Sequence, residues 1–572
     1  MISIKRKSNV CVVYLTMAIV FGPGSTSVAH SPSSLASRQL ANREPNQSFS
    51  VDEEAFIHTP TGFEVAGEPV TVDADSETST LRVTVVDGST GKPAACRVNV
   101  IGPDGNYFEP SMHPLAEWSC HKTAHDETHG PSRYYGFYFY SLGQFDITVP
   151  TGNIRIEAWK GYEYHPIHHE ITAVAGKNHQ VDLRIDRTAA MNEHGYYSGD
   201  THIHLNRRRD HEEDDKHALG LMAAEDIEYG TILCMNDPPS YSGLMQRQVW
   251  PQDRELGRRS VRTAGRYGIA SGQEYRCSTY GHICLLMHDR LVLEGLTVNA
   301  DNWPTFDGVG RQTRQLGGFS FHAHGGYSRE IYADYIDEST DGVELLQMAH
   351  YRGIGLSGWY RILNLGYQFP GLAGSDFPYG RCLGDCRNYI HADKRPDFHQ
   401  WTRAAAEGRS FFTTGPLVLL EVNGHRPGDT ISLPGGDKTE LVANVRLRCE
   451  VTHVDHLELI VNGETVKSLS VPPQGASGQW IELQHRISGA EPCWIAARAY
   501  GLSETGRPDA EAHTNPVYVH VDGQKPFRAD DRDWLLEKLG DQVQVTKERD
   551  FPEQQRVFDF LDRSRDQLLS LP

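Results

Sequence analysis

The sequence predicts an α/β barrel flanked by N- and C-terminal β-sandwiches, a mixture of α/β and all-β architecture. Three observations predict it. Apolar and polar residues alternate between residues 79 and 190, with a Gly-containing turn every few positions, which is the rhythm of short half-buried strands. From 191 to 415 the rhythm becomes strand, loop, helix. Polar residues there fall at the C-terminal ends of the strands, where a barrel places its chemistry. From 416 to 523 the alternation and the turns return.

The elements follow in order. Residues 1–29 read as a signal peptide. Lys5, Arg6 and Lys7 precede the apolar run "VCVVYLTMAIVF", and Ser-Val-Ala ending at Ala29 offers a cleavage site. The mature chain is expected to begin near His30 and to be secreted or periplasmic, with no membrane contact beyond the export signal. Residues 30–78 are rich in Ser, Asn, Pro and acidic residues and read as a linker or flexible arm. "STLRVTVVDGSTGKPAACRVNVIGPDG" opens the first sandwich, 79–190, whose pattern resembles the transthyretin-like or carboxypeptidase-regulatory sandwiches of secreted proteins. His165, His168 and His169 fall there and read as surface strand residues. Helices are expected at "KHALGLMAAEDIE" and "RELGRRSVRTAGR" within the barrel. Residues 416–523 read as an Ig-like sandwich, and 524–572 as amphipathic C-terminal helices.

Composition narrows the function. Lys and Arg number 55 against 75 Asp and Glu, a formal charge of −20, which argues against a nucleic-acid partner. Ten cysteines include Cys11 in the leader. Export permits disulfides, and Cys382 with Cys386, or Cys449 with Cys493, are candidates for bridging.

The chemistry concentrates in the middle third. "GDTHIH" ends the first predicted strand, and residues two apart on a strand point to one side, so His202 and His204 project together while Ile203 faces a core. "ASGQEYR" supplies Glu274, "GHICLL" His282, "FSFHAHGG" His322 and His324, and "AGSDFPYG" Asp376. Several histidines, a carboxylate able to bridge and a late Asp form a ligand set for one or two hydrolytic metal ions. Solvated strand histidines are the plain alternative for any single member; their joint placement at strand ends favours metal.

The order of these motifs resembles the PHP (polymerase and histidinol phosphatase) superfamily of metallohydrolases. The run from Gly408-Arg409-Ser410 through Thr414-Gly415-Pro416 to Val422-Asn423-Gly424, with "HTNPVYV" at His513–Val519, is similar to its CehA/McbA branch. The resemblance spans about 195–520. It implies a distorted (β/α)7 barrel with metals at its C-terminal face. Carried over, His202, His204, Glu274 and Asp376 would hold one ion, and Glu274 would bridge to a second held by His282 and His324, with His322 a second candidate for that place. Two departures stand out: Asn236-Asp237 follows the second strand, and Phe377-Pro378 follows Asp376, where the family supplies ligands for a third ion. A mono- or dinuclear centre of Zn, Mn or Fe is therefore expected.

The functional expectation is an exported metal-dependent hydrolase using metal-activated water on an ester-type bond, either phosphoester, carboxylic ester or carbamate, of a small-molecule or glycan-linked substrate. Glu274 would orient, His322 or His350 would protonate the leaving group, and Arg381, Arg387 and Arg409 are candidate anion clamps. Glu344 and Asp341 are candidate partners of the histidines. The alternative is a non-catalytic cell-surface or carbohydrate-binding protein with a degenerate metal site.

Overall fold

The computed structural model describes residues 71–72, 77–115, 125–126, 130–131, 137–205, 211–236, 255–277, 279–292, 303–326, 330–347, 350–378, 382–436, 439–472, 475–502 and 508–572. The leader, nearly all of the linker, Asp237 and Arg381 lie outside them, as do the side chains of Asn236 and His350.

Alternating residues fold the N-terminal part into a three-stranded and a five-stranded sheet. Strand Thr78–Asp87 lies between Asn178–Ile185 and Gln144–Pro150, and Cys96–Ile101 pairs with Gly152–Trp159. Their inward residues, among them Leu81, Val83, Val98, Ile147 and Ile156, form one core.

The middle third departs from the sequence expectation: no (β/α)7 barrel forms. The chain builds one long curled sheet of mixed direction that continues into the C-terminal third. Strand Tyr196–Ile203 runs parallel to Tyr229–Asn236, which runs parallel to Tyr267–Cys277. The next two, Gly281–Leu286 and Phe319–His322, are each antiparallel to their predecessor, and Gly342–Gln347 and Gly371–Gly374 return to parallel. Arg387–His391 pairs antiparallel with the first strand, and Ser410–Thr413 with Arg387–His391.

Strict alternation fails for a local reason. Arg254–Arg266 was expected to be helical, but its described part makes a 3₁₀ turn at Gly257–Ser260 and a short strand, Arg262–Ala264, which folds back antiparallel onto Tyr267–Cys277. Gly265 supplies the positive φ, +60°, that such a tight hairpin needs. Cys277 and Gly281 are separated by three residues, whereas a parallel crossover needs about a dozen or more.

Helices that do form have identifiable signals. Phe398–Ala406 begins with a capping box in which Gln400 N–H donates to Asp397 Oδ1 at 2.8 Å and Asp397 N–H donates to Gln400 Oε1 at 2.9 Å. Its Trp401 is buried and donates from Nε1 to Tyr197 O at 3.0 Å, fixing this helix against the first strand. Ala529–Lys547 and Gln554–Leu569 pack on the helix Ile331–Ile336, sharing a core with Leu345, Leu346 and Trp359.

Polar clamps join the parts. Arg97 Nε and Glu225 Oε1, both buried, meet at 2.8 Å between the N-terminal sheets and the central sheet. His165 Nδ1 lies 3.1 Å from Glu450 Oε2 of the C-terminal third, so this histidine is half exposed yet joins two regions of the chain. Cys382, Cys386, Cys449 and Cys493 are buried free thiols, so neither bridge suggested by the sequence forms.

Candidate metal centre

The curl of the sheet brings the loop after Gly371–Gly374 against the end of the first strand. Asp376 N–H donates to His202 O at 2.8 Å and His204 N–H donates to Phe377 O at 2.6 Å. Six side chains converge there: His202, His204, Glu274, His282, His324 and Asp376. All are buried except His282, whose side chain is 20% exposed.

They form two half-sites that share one carboxylate. In the first, His202 Nε2 and His204 Nε2 are 3.1 Å apart, and each is 3.4 Å from Asp376 Oδ1. In the second, His282 Nδ1 and His324 Nε2 are 3.0 Å apart. Glu274 lies between, with Oε2 3.3 Å from His204 Nε2 and Oε1 2.9 Å from His282 Nδ1 and 3.5 Å from His324 Nε2.

The outer ring nitrogens decide what the inner ones can do. His202 Nδ1 is 2.8 Å from Glu344 Oε2, and His204 Nδ1 is 3.3 Å from Leu233 O. Each outer nitrogen therefore carries a proton, so each ring, once neutral, turns a lone pair inward. Two lone pairs 3.1 Å apart repel unless a proton is shared between them or a metal ion lies beside both. A divalent ion fits this donor set of two imidazoles and carboxylates. The second half-site is less clear-cut. His324 Nδ1 is hydrogen-bonded to Gln347 Oε1, which also leaves Nε2 facing inward. Arg276 Nε, however, donates to His282 Nε2 at 3.3 Å, which places the proton of a neutral His282 on its inner nitrogen. The first half-site is the stronger of the two.

Electrostatics tie the carboxylates to the histidines. Burial alone would raise the Glu274 carboxyl, but His282, His204 and His324 hold it well below the ordinary carboxylate range. Burial acts likewise on Asp376, and His202, His204 and His324 outweigh it downward. Burial disfavours a charged His202, yet Cys284, Glu344 and Asp376 lift it well above the usual imidazole range. The centre therefore holds two ionised carboxylates paired with histidines, whose protons a divalent ion would have to displace.

Backbone strain collects at the same place. His324 and Asp376 have φ of 57° and 55°, a region that side chains other than Gly avoid at a cost of about 1–3 kcal/mol. At Gly374 a Cβ would lie 2.7 Å from both Glu344 Oε1 and His202 Cβ, so only Gly lets this strand approach the ligands.

Other expectations are redistributed. His322 turns away from the six, toward Asp334 Oδ2 at 3.3 Å and the rings of Phe306 and Tyr335, and burial pushes it down to about 3; it is not placed to protonate a leaving group here. Arg387 is buried and spent on Gly384 O, Glu225 O and the Tyr162 ring. Arg409 is half exposed and pairs with Glu407 at 3.1 Å. Neither Arg387 nor Arg409 makes a contact with the six. Asp341 accepts from Ser320 N–H and Arg314, tying the strand Phe319–His322 to the helix Phe306–Gln315, and its bonds go to no histidine.

Three nearby groups escaped sequence reasoning. Cys284 Sγ lies 3.2 Å from His202 Nδ1; it follows His282 by two on one strand, so alternation could have found it. Thr201 Oγ1 donates to Glu344 Oε1 at 2.6 Å. Gln347 reaches His324 although it sits three residues after Glu344, because a register shift between Glu344 and Leu346 turns both inward.

Glu344 is thus the positioning residue of the first half-site. Glu344→Ala should weaken metal affinity by about 10- to 100-fold with the six ligands intact, measured by competition with a chromogenic chelator. Unchanged affinity would show that His202 is held without it.

No protein-family model and no curated protein matches the chain. Among solved structures it is similar to the crystal structure of PsfC from Pseudomonas syringae PB-5123, at 16% identity over 36% of this chain and 88% of that one, with a TM-score of 0.24.

Proposed function

We propose that this chain is an exported metal-dependent hydrolase acting on an ester-type bond: phosphoester, carboxylic ester or carbamate. One observation carries the reading: a buried carboxylate, Glu274, sits between two pairs of histidines whose inner nitrogens are 3.0 and 3.1 Å apart. A bound divalent ion would lower the pKa of a water toward neutrality and polarise the scissile group. The chain's own contribution is orientation and charge. Glu344 and Leu233 O fix the rings of His202 and His204, and Gln347 fixes His324. Glu274 and Asp376 stay ionised, so they balance cationic charge and do not deliver a proton to the leaving group.

We infer one tightly held ion, at His202, His204 and Asp376, and a second, weaker one that depends on Arg276 releasing His282. Zn, Mn and Fe all suit these ligands. The order of the ligands, not a shared barrel, is what supports the PHP and CehA/McbA reading. Export rests on the leader sequence.

Metal analysis of purified protein, followed by a panel of phosphodiester, aryl-ester and carbamate substrates with and without chelator, tests the reading. One to two ions per chain and chelator-sensitive hydrolysis of at least one class are expected. Metal-free protein that turns over nothing, even after metal is added, would overturn it in favour of a binding protein.

A further inference from the structure

A second site lies at the far end of the strand that carries His202. Tyr196 opens this strand and pairs with His391. Six residues at about 3.3 Å each separate Tyr196 from His202, so the two ends are about 20 Å apart. A groove of about 470 Å³ opens there, lined by His194, Tyr196, His391, Arg426 and Arg446 together with acidic residues.

The two arginines are held in place by aromatic and imidazole rings. Arg446 stacks over the Trp480 ring at 5.1 Å and reaches His194 Nδ1 at 3.4 Å. His194 itself meets Trp480 edge-on, with ring centroids 5.3 Å apart. The Arg426 guanidinium is hydrogen-bonded to His391 Nε2, and the His391 ring packs against Tyr196 at 5.3 Å. Among the described residues neither arginine pairs with a carboxylate, whereas Arg97, Arg187, Arg448 and Arg498 all do. Their imidazole partners cannot supply the missing charge. Burial, then Arg426, pushes His391 down to about 4, and burial with Arg446 and Arg426 lowers His194. A neutral ring accepts one N–H and leaves the guanidinium's charge and its remaining donors available.

The groove also carries the opposite chemistry. Glu193, Asp393 and Glu421 line it and form no ion pair among the described residues. They are acceptors suited to hydroxyl groups, and Asn444 beside them offers both donor and acceptor. One ligand class satisfies both halves: a polyhydroxylated molecule that bears an oxyanion.

We propose that this groove binds a saccharide carrying a carboxylate, with the carboxylate on Arg426 and Arg446 and the ring hydroxyls on the acidic side chains. It is a binding site remote from the metal centre and does not depend on what that centre does. A hydrolase could use it to hold a glycan chain, and a surface protein could use it for adhesion.

Calorimetric titration of the full-length mature protein with digalacturonate, a neutral disaccharide and inorganic phosphate tests it. Digalacturonate is expected to bind best, and Arg446→Gln and Arg426→Gln each to weaken it at least tenfold with melting temperature and metal content unchanged. Repeating the titration on chelated, metal-free protein removes any binding through the metal centre, and affinity should persist. Arg446→Lys covers the case in which Arg446→Gln fails to fold, and should retain part of the affinity. Equal binding of the neutral sugar, equal binding of phosphate alone, or full affinity in both Arg→Gln variants would each overturn the assignment.

Discussion

Glu274→Gln should reduce turnover of the best substrate by at least a hundredfold, about 2.7 kcal/mol of lost transition-state stabilisation, while the protein stays folded. The geometry explains the split. Glu274 is 2% exposed, and its recorded partners are histidines: His204, His282, His324 and, at 3.7 Å, His202. Gln keeps the volume, and its amide can still hydrogen-bond to imidazole, so packing is preserved. It removes the negative charge that two half-sites share and turns an NH₂ group toward one of them, where a lone pair is needed. A plain surface ion pair, worth under about 1 kcal/mol, is excluded by the burial. Metal content, melting temperature and turnover of the two proteins should be compared. Unchanged metal content together with unchanged turnover would remove Glu274 from the centre and undo the dinuclear reading.

Much of this centre was legible because strand periodicity is simple. His202 lies on the first strand with His204 one residue past its end, and His282 and Cys284 lie two apart on another strand. Period alone could not choose between His322 and His324. His322 continues the strand and points to Asp334, while His324 enters the site only because its backbone turns left-handed at φ 57°. Asp376 owes its place to the same device at φ 55°. Such conformations depend on surrounding contacts, and a single sequence does not display those contacts.

The architecture was harder to read than the ligands. Short apolar runs bounded by Gly look alike whether a helix or a turn joins them. "YGIASGQEYRC" and "GHICLL" are hairpin arms, and the three residues between them rule out a parallel crossover. That length was available in the sequence and outweighs the polar strand ends that suggested a barrel. Gln347 was beyond reach for another reason: the register shift after Glu344 displaces it from the pattern.

Stripping metal from the protein is expected to lower its first unfolding transition by several degrees as well as to abolish hydrolysis. In the first half-site His202 Nε2 and His204 Nε2 face each other at 3.1 Å, with Asp376 Oδ1 3.4 Å from both. These groups are buried, so water cannot relieve them, and a cation that binds only the folded arrangement stabilises it by mass action. At a free-ion concentration about a thousand times the dissociation constant the effect is about 4 kcal/mol. The six ligands come from five separate strands or strand ends, so the loss should appear as destabilisation of the central sheet. The N-terminal sheets have a core of their own and should be destabilised less. Calorimetry of metal-loaded, chelated and reloaded protein would follow both transitions. Glu274→Gln protein should show a smaller difference between loaded and chelated forms, because its site is weakened already. Identical melting curves for loaded and chelated wild-type protein would mean that the six residues satisfy one another without an ion, and the metal reading would fall.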